Sequence, residues 1–421
     1  MIIPSIDLQS GKAVQLIGGK EFAIDGGDPQ NWANEFGLAS EIAVIDLDAA
    51  MGTGTGSNRD TIVSLLKGRR CRVGGGIRTV EDALFYLDAG ATQVIIGTKA
   101  TPEFLSQLPK ERVIAALDTR FGEVVVDGWQ TNTKAPIEEK IAQLKDHVGG
   151  FLVTFVELEG RMNSIDIERS RELKKLCGDV PLTVAGGVAT TGEIAELDEL
   201  GIDVQVGMAL YSRKIAYCDA VIAPLLRRIP NGLWATIVCD EHGTALGLAW
   251  SNLESINLAF AEQRGIYWSR SRNEIWRKGD SSGAIQDLLR VDLDCDRDAI
   301  RFTVRQRGTG FCHKDTYTCW GQAEGIKRLE QTLHSRKETA PEGSYTARLF
   351  TDDDLLNSKI KEEAVELTEA TAPQHIVEEA ADVLYFTMAK LAKHGISLEE
   401  VSRELEFRSR KVSRRPGDKK S

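Results

Sequence analysis

Two copies of one pattern, 111 residues apart, constrain this chain more than anything else in it. PSIDL and AALDT place Asp7 and Asp118 at that offset, and VGGGI against VAGGV places Gly75 and Gly186 at the same one. Gly97 in IIGTKA and Gly207 in VGMAL repeat it to within one residue. A period of this size carried on short β-rich runs means a duplicated half. Eight such runs occur up to about Leu210: IIPSIDL, EIAVIDLD, CRVGGGI, QVIIGT, VIAALDTR, FLVTFVEL, LTVAGGV and VQVGMAL. Helix-length amphipathic stretches separate them, and eight alternating units are the count for a (β/α)8 TIM barrel.

The pattern changes twice more. From Gly232 to Trp320, strands rich in Trp, Tyr, Thr and Val with polar turns suggest a small, mostly β module. From Gly325 on, Leu, Ile and Ala recur at helical spacing among Glu and Lys, so the last region reads as all-α. Residues 216–232 hold the last barrel helix and a first linker, and GQAEG, residues 321–325, marks a second. A multidomain chain is expected, α/β, then mainly β, then all-α, over residues 1–225, 230–322 and 325–421. The 421 residues suit three domains of roughly 150 each.

Charge and composition exclude several classes. A net charge of −11 argues against a general nucleic-acid binder, which needs clustered Lys and Arg. The one basic run, Arg408 to Lys420, reads as a solvated terminus, with binding of substrate phosphates as the alternative. MIIPSIDL lacks a signal peptide's basic and apolar regions, and no apolar run approaches the roughly 20 residues that span a bilayer. Seven cysteines, an odd number spread along the chain, do not form a secreted disulfide framework. A soluble cytoplasmic protein is expected, with no further domain after Ser421.

The duplication has chemical consequences. Glycines at the C-terminal end of a barrel strand let backbone N–H groups close on a phosphate at the next helix N-terminus. Two such loops on opposite sides imply a ligand with a phosphate at each end. Asp7 and Asp118 would lie between them, where one carboxyl can take a proton from carbon and another can supply one to a ring oxygen. In IDLQSGKAVQL, IDLDAAMGTGTGSN, VGGGIRT, ALDTR, DGW, AGGV and VGMAL, in that order, the first half resembles ProFAR isomerase of histidine biosynthesis, which rearranges a substrate with two phosphoribosyl ends. The resemblance makes Asp7 the general base and Asp118 the general acid, with Gly75, Gly76, Gly97, Gly186, Gly187 and Gly207 binding phosphates. The chain departs from that family at Gln15, where Arg is common, and at Glu159-Gly160-Arg161, where Asp-Gly-Thr is usual. Glu159 retains a carboxylate able to share the acid role.

The stretch VDLDCDRDAIRFTVRQRGTGFCHKDTYTCW, residues 291–320, interleaves thiols and carboxylates. Cys295, Cys312 and Cys319 are too widely spaced for paired knuckles, but three thiolates leave zinc an open position for water, as catalytic sites do. Asp294, Asp296 and Asp298 alternate around Cys295; on an extended segment they share one side and the cysteine takes the other. Hard oxygens select magnesium and soft sulfurs zinc. The combination of DCDRD, FCH and TCW, with YWSRSRNEIWRKGDSSG upstream, resembles phosphoribosyl-AMP cyclohydrolase. That resemblance implies zinc at the three cysteines and magnesium at the three aspartates. It also implies phosphate and ribose binding by Arg270, Arg272, Lys278, Ser281, Ser282 and Gly283, proton transfer by His313, and hydrolytic opening of the purine six-membered ring.

The helical region holds Glu363 with Glu366 in KIKEEAVELTEA, and Glu379 with Asp382 in EEAADVLYF. Each is an i, i+3 pair on one helix face, and facing acidic pairs can hold magnesium that bridges a polyphosphate. Ala364, Val365, Leu367, Ala380, Ala381 and Leu384 around the acids place those faces near a core. With SYTARLF before and KVSRRPGDKK after, the region resembles phosphoribosyl-ATP pyrophosphohydrolase, a helical enzyme of the MazG-like type. The three resemblances imply consecutive steps on small-molecule phosphoribosyl nucleotides, arranged in reverse along the chain, and a homodimer or larger assembly. The alternatives are a two-activity enzyme whose barrel is a non-catalytic scaffold, and a nucleotide-binding or regulatory protein without turnover.

Overall fold

The structure, a computed structural model, describes residues 1–52, 58–126, 128–129, 131–230 and 232–413. The glycine-rich end of IDLDAAMGTGTGSN, Asp127 of DGW and the basic tail past residue 413 lie outside the described residues. The chain divides into two compact units. The first comprises Met1–Cys239, Leu248–Arg305 and the residues from Ser409; the second comprises Asp240–Gly247 and Gln306–Arg408.

The first unit opens with β1 (Ile2–Gln9), β2 (Lys12–Ile17), β3 (Glu21–Gly27), β4 (Ile42–Asp46), β5 (Cys71–Gly74) and β6 (Gln93–Ile96). It continues with β7 (Val113–Arg120), β8 (Glu123–Val126), β9 (Thr131–Pro136), β10 (Gly150–Phe155), β11 (Leu182–Ala185) and β12 (Ile202–Val206). Strands β1, β4, β5, β6, β7, β10, β11 and β12, the eight expected runs, pair in parallel, and the β12–β1 ladder closes the ring. Ile95, Ile114, Leu152 and Ala185, one from each of four strands, pack together inside it.

The repeat is visible in the helix starts. Thr79 and Thr190, again 111 apart, each accept a backbone N–H of the first turn, from Asp82 and Glu193, and so cap the helices Val80–Asp88 and Thr191–Glu199. The halves also share an addition that the sequence pattern did not predict. Antiparallel strands β2 and β3 extend β1, and β8 and β9 extend β7. Strands β3 and β9 are mostly exposed and lack apolar alternation, so they carry no period-two signal.

The β module contains β13 (Trp234–Asp240), β14 (Ala245–Ser251), β15 (Ile266–Ser269), β16 (Glu274–Arg277), β17 (Gln286–Leu293) and β18 (Ala299–Gln306). Four form a sheet in the order β14-β13-β18-β17, and β15 and β16 form a hairpin. The one α-helix between them, Leu253–Glu262, starts at an Asn252–Ser255 capping box.

The second unit is mainly the helices Gly325–Glu338, Tyr345–Thr351, Asp353–Glu369, Pro373–Lys393 and Leu398–Arg410. Its core is Leu333, Leu349, Leu356, Phe386, Met388, Ala389 and Ala392. The apolar residues expected to bring the acids near a core do not join it. Ala364, Val365, Ala381 and Leu384 are exposed, and Leu367 and Ala380 only partly covered. A layer this thin buries one stripe of each helix, and these residues fall on the other. Among the described residues no helix is long and apolar enough to cross a membrane.

Candidate functional site

Asp7, Asp118 and Glu159 line one cavity with Gly75, Gly76, Gly97, Gly186, Gly187 and Gly207. Ser5, two residues before Asp7 and on the same strand face, donates its hydroxyl to the Asp7 carboxylate at 2.6 Å. Gln15, fully covered on β2, donates to Val14 O at 2.9 Å and approaches Asp7 Oδ2 at 3.5 Å. Burial outweighs these donors and pushes the Asp7 carboxyl up to about 6. Burial also raises Asp118, against hydrogen bonds from the side chains of Trp129 and Thr154. Glu159, in the loop after β10, is pushed up to about 8, first by burial and then by the charges of Asp7 and Asp118. Glu159 therefore feels the charges of both aspartates in a site where all three carboxyls are buried.

The glycine loops on either side have matching geometry. Gly75 has φ +91° and Gly186 φ +93°, a region that residues with a Cβ rarely adopt. A Cβ at Gly75 would stand 2.2 Å from Asp46 O, at the end of β4; one at Gly186 would stand 2.5 Å from Phe155 O, at the end of β10. Gly97 and Gly207 follow the neighbouring strands, β6 and β12, so each half supplies two adjacent loops. Trp129, at φ +68°, sits after β8, and its ring lies over Gly19 between β2 and β3, so the two hairpin additions meet above the cavity.

Sequence reasoning missed Ser5 and Thr154. Ser5 was accessible from strand alternation; Thr154 faces Asp118 only because β10 pairs with β7 in register.

In the β module, Asp294, Asp296 and Asp298 present carboxylate oxygens within 4.8 Å of one another. They do so differently from the expected extended segment. Residues 294–298 form a turn in which Asp294 Oδ1 accepts the N–H groups of Asp298 and Ala299 at 2.9 and 3.1 Å, and Arg297 is left-handed at φ +60°. The turn gathers the carboxylates, with Cys295 exposed among them. Asp298 is held above its usual range, first by the charge of Asp296. Arg270 stacks on Trp250 at 4.2 Å, and Arg272 reaches Ser269 Oγ at 3.3 Å and Glu274 at 3.1 Å. Lys278 is buried and donates to Ala284 O at 2.9 Å, bracing the exposed turn Ser281, Ser282 and Gly283.

The second unit holds the other two cysteines. The Cys312 thiol is held below its usual range, first by the Lys314 N–H, with Thr316 and Cys319 also donating to it. A Cβ at Gly247 would come 2.2 Å from the Phe311 ring and 2.9 Å from Cys319 Sγ, so glycine leaves room for the sulfur. His313 is exposed beside Cys312.

On the long helices, carboxylate oxygens of Glu363, Glu366 and Glu379 lie within 4.8 Å of one another. Lys359 pairs with Glu363 at 2.9 Å and His375 with Glu379 at 2.9 Å. Glu379 Oε2 is buried without a hydrogen-bond partner, which suits a cation that completes it. Burial and the charges of Glu363 and Glu379 raise Glu366. Asp382, exposed and nearly one turn beyond Glu379, is not part of this trio.

These features define a class: a duplicated β/α-barrel protein carrying further β and helical modules. The chain belongs to the histidine biosynthesis protein family, whose model matches residues 1–216. The phosphoribosyl-AMP cyclohydrolase model matches residues 247–321 and the phosphoribosyl-ATP pyrophosphohydrolase model residues 326–409. These two families are typically metal-dependent. The histidine biosynthesis trifunctional protein of Komagataella pastoris is 36% identical over 341 residues, 81% of this chain and 38% of that protein. Its Neurospora crassa counterpart is 38% identical over 360 residues, 82% of the chain and 38% of that protein. The phosphoribosyl imidazole-4-carboxamide isomerase of Methanocaldococcus jannaschii is 39% identical over 225 residues, half of this chain and 93% of the isomerase. The chain thus spans about two fifths of the length of these trifunctional relatives.

Proposed function

We propose that the chain catalyses three consecutive steps of histidine biosynthesis, over domains 1–225, 230–322 and 325–421. The helical domain releases pyrophosphate from phosphoribosyl-ATP, the β-rich domain opens the ring of phosphoribosyl-AMP to give ProFAR, and the barrel isomerises ProFAR. The family matches to all three regions support this order.

One observation carries the isomerase reading: three buried carboxyls lie between two glycine loops related by the repeat. A scaffold gains nothing from such a site, because buried carboxyls destabilise a fold. The two phosphates bind the backbone N–H groups after β5 and β6 and after β11 and β12. Asp7, ionised above about 6, takes the proton from carbon. Asp118 and Glu159, both raised, supply the proton to the ring oxygen.

Cys295, Cys312 and Cys319 are assigned to zinc, Asp294, Asp296 and Asp298 to magnesium, and Glu363, Glu366 and Glu379 to magnesium, with Asp382 one turn further along the same helix outside that trio. Bound zinc lowers the pKa of water toward ~7, and magnesium screens phosphate charge. Arg270, Arg272, Lys278 and the Ser281–Gly283 turn hold phosphate and ribose, and His313 moves protons. The exposed Val365, Val377 and Leu384 support a homodimer or larger assembly. A cytoplasmic location follows from the pathway.

Purified protein given ProFAR should convert it to the ribulosyl isomer, and Asp7→Asn should lower turnover by about 10²-fold or more. Failure of the intact protein to convert ProFAR would reduce the reading to the two hydrolytic steps.

A further inference from the structure

Arg297 lies inside the carboxylate turn yet is held from outside the β module. Its Nε and Nη2 donate to Asp198 Oδ2 and Oδ1 at 2.8 and 3.0 Å, while Nη1 donates to the backbone oxygen of Asp294 at 2.5 Å. Asp198 lies in the last turn of the barrel helix Thr191–Glu199, just before β12, on the rim opposite the cavity. Its side chain is 7% exposed and that of Arg297 23%, so this two-pronged ion pair is largely shielded from water. A left-handed arginine is itself unfavourable and persists only where its surroundings enforce it. Here the fork acts together with the hydrogen bonds that Asp294 makes within the turn. It ties the barrel to the residue whose carboxylate caps the turn, and that turn gathers Asp294, Asp296 and Asp298. A second tie on the same rim, Val291 N–H to Leu38 O at 2.7 Å, holds the strand leading into the turn.

We propose that Asp198 of the barrel is a positioning residue for the β module's divalent-cation site, acting through Arg297 to set the turn that presents the three aspartates. The barrel then has a second role, independent of its own chemistry: it completes the site of its neighbour. The inference rests on the reading of the Asp294–Asp298 turn as a cation site.

The test is Mn2+ titration by calorimetry on the whole 421-residue chain in a Glu366→Gln background, which disables the helical acidic trio. Asp296→Asn identifies the heat that belongs to the turn. Asp198→Ala and Arg297→Ala should each weaken that binding by about 10- to 100-fold, the usual effect of losing an outer-shell partner. The double variant should be no worse than either single one. Asp198 Oδ1 also accepts the Met1 amino group at 2.9 Å, and Arg297→Ala leaves that contact intact. ProFAR turnover of each variant, unchanged from the parent, excludes global damage to the barrel. Parental Mn2+ affinity in Asp198→Ala, with loss in Asp296→Asn, overturns the positioning role alone. A heat insensitive to Asp296→Asn overturns both it and the cation-site reading.

Discussion

Glu159 shows how one methylene and one environment combine. Its carboxyl, raised from 4.5 to about 8, keeps a proton in the fold that the unfolded chain releases. Stability from that proton is fully present below about 4.5 and is lost as pH rises to about 8. Glu159→Gln should therefore raise the melting temperature of the barrel by about 2 °C or more at pH 9 and hardly at all at pH 4. An equal gain at both pH values would refute the proton assignment. The parent's kcat/KM for ProFAR should rise through about 6, as Asp7 ionises, and fall through about 8, the falling limb disappearing in the variant if Glu159 supplies the proton.

The elements explain why the acids on the long helices are grouped. Residues three or four apart share a helix face, so Glu363 and Glu366 are neighbours whatever the fold. Glu379 joins them only because the helices Asp353–Glu369 and Pro373–Lys393 run side by side. Glu366→Gln should stop release of pyrophosphate from phosphoribosyl-ATP and leave phosphoribosyl-AMP turnover intact, measured by separate product assays. Unchanged release would make the trio a solvated surface. In the barrel, the eight strands were legible because each is a short β-rich, mostly apolar run followed by a helix-length stretch. The turn at Asp294–Asp298 was not: its aspartates alternate as in a strand, but Asp294 caps the backbone and Arg297 turns left-handed.

At the scale of the whole molecule, three chemistries on one chain should be separable. Cys312→Ser should remove zinc, detectable by metal analysis, and abolish ring opening while sparing pyrophosphate release and ProFAR turnover. Retained ring opening would refute the zinc assignment. Separability has one expected exception, the barrel's Asp198, where a substitution in one domain should weaken a site in another.

The sequence by itself determined the barrel, its duplication and the identity of the paired glycine loops. Each depends on residue type at a fixed spacing: apolar runs that must be covered, glycines where a Cβ meets a carbonyl, and aspartates at strand ends. Only the tertiary structure decided which polar groups face the acids. Trp129 and Thr154 reach Asp118 through hairpin placement and strand register, and Asp198 reaches Arg297 across 99 residues of chain. Spacing along the chain specifies contacts within a strand or a helix. Contacts between elements depend on burial and register, which many residues set together.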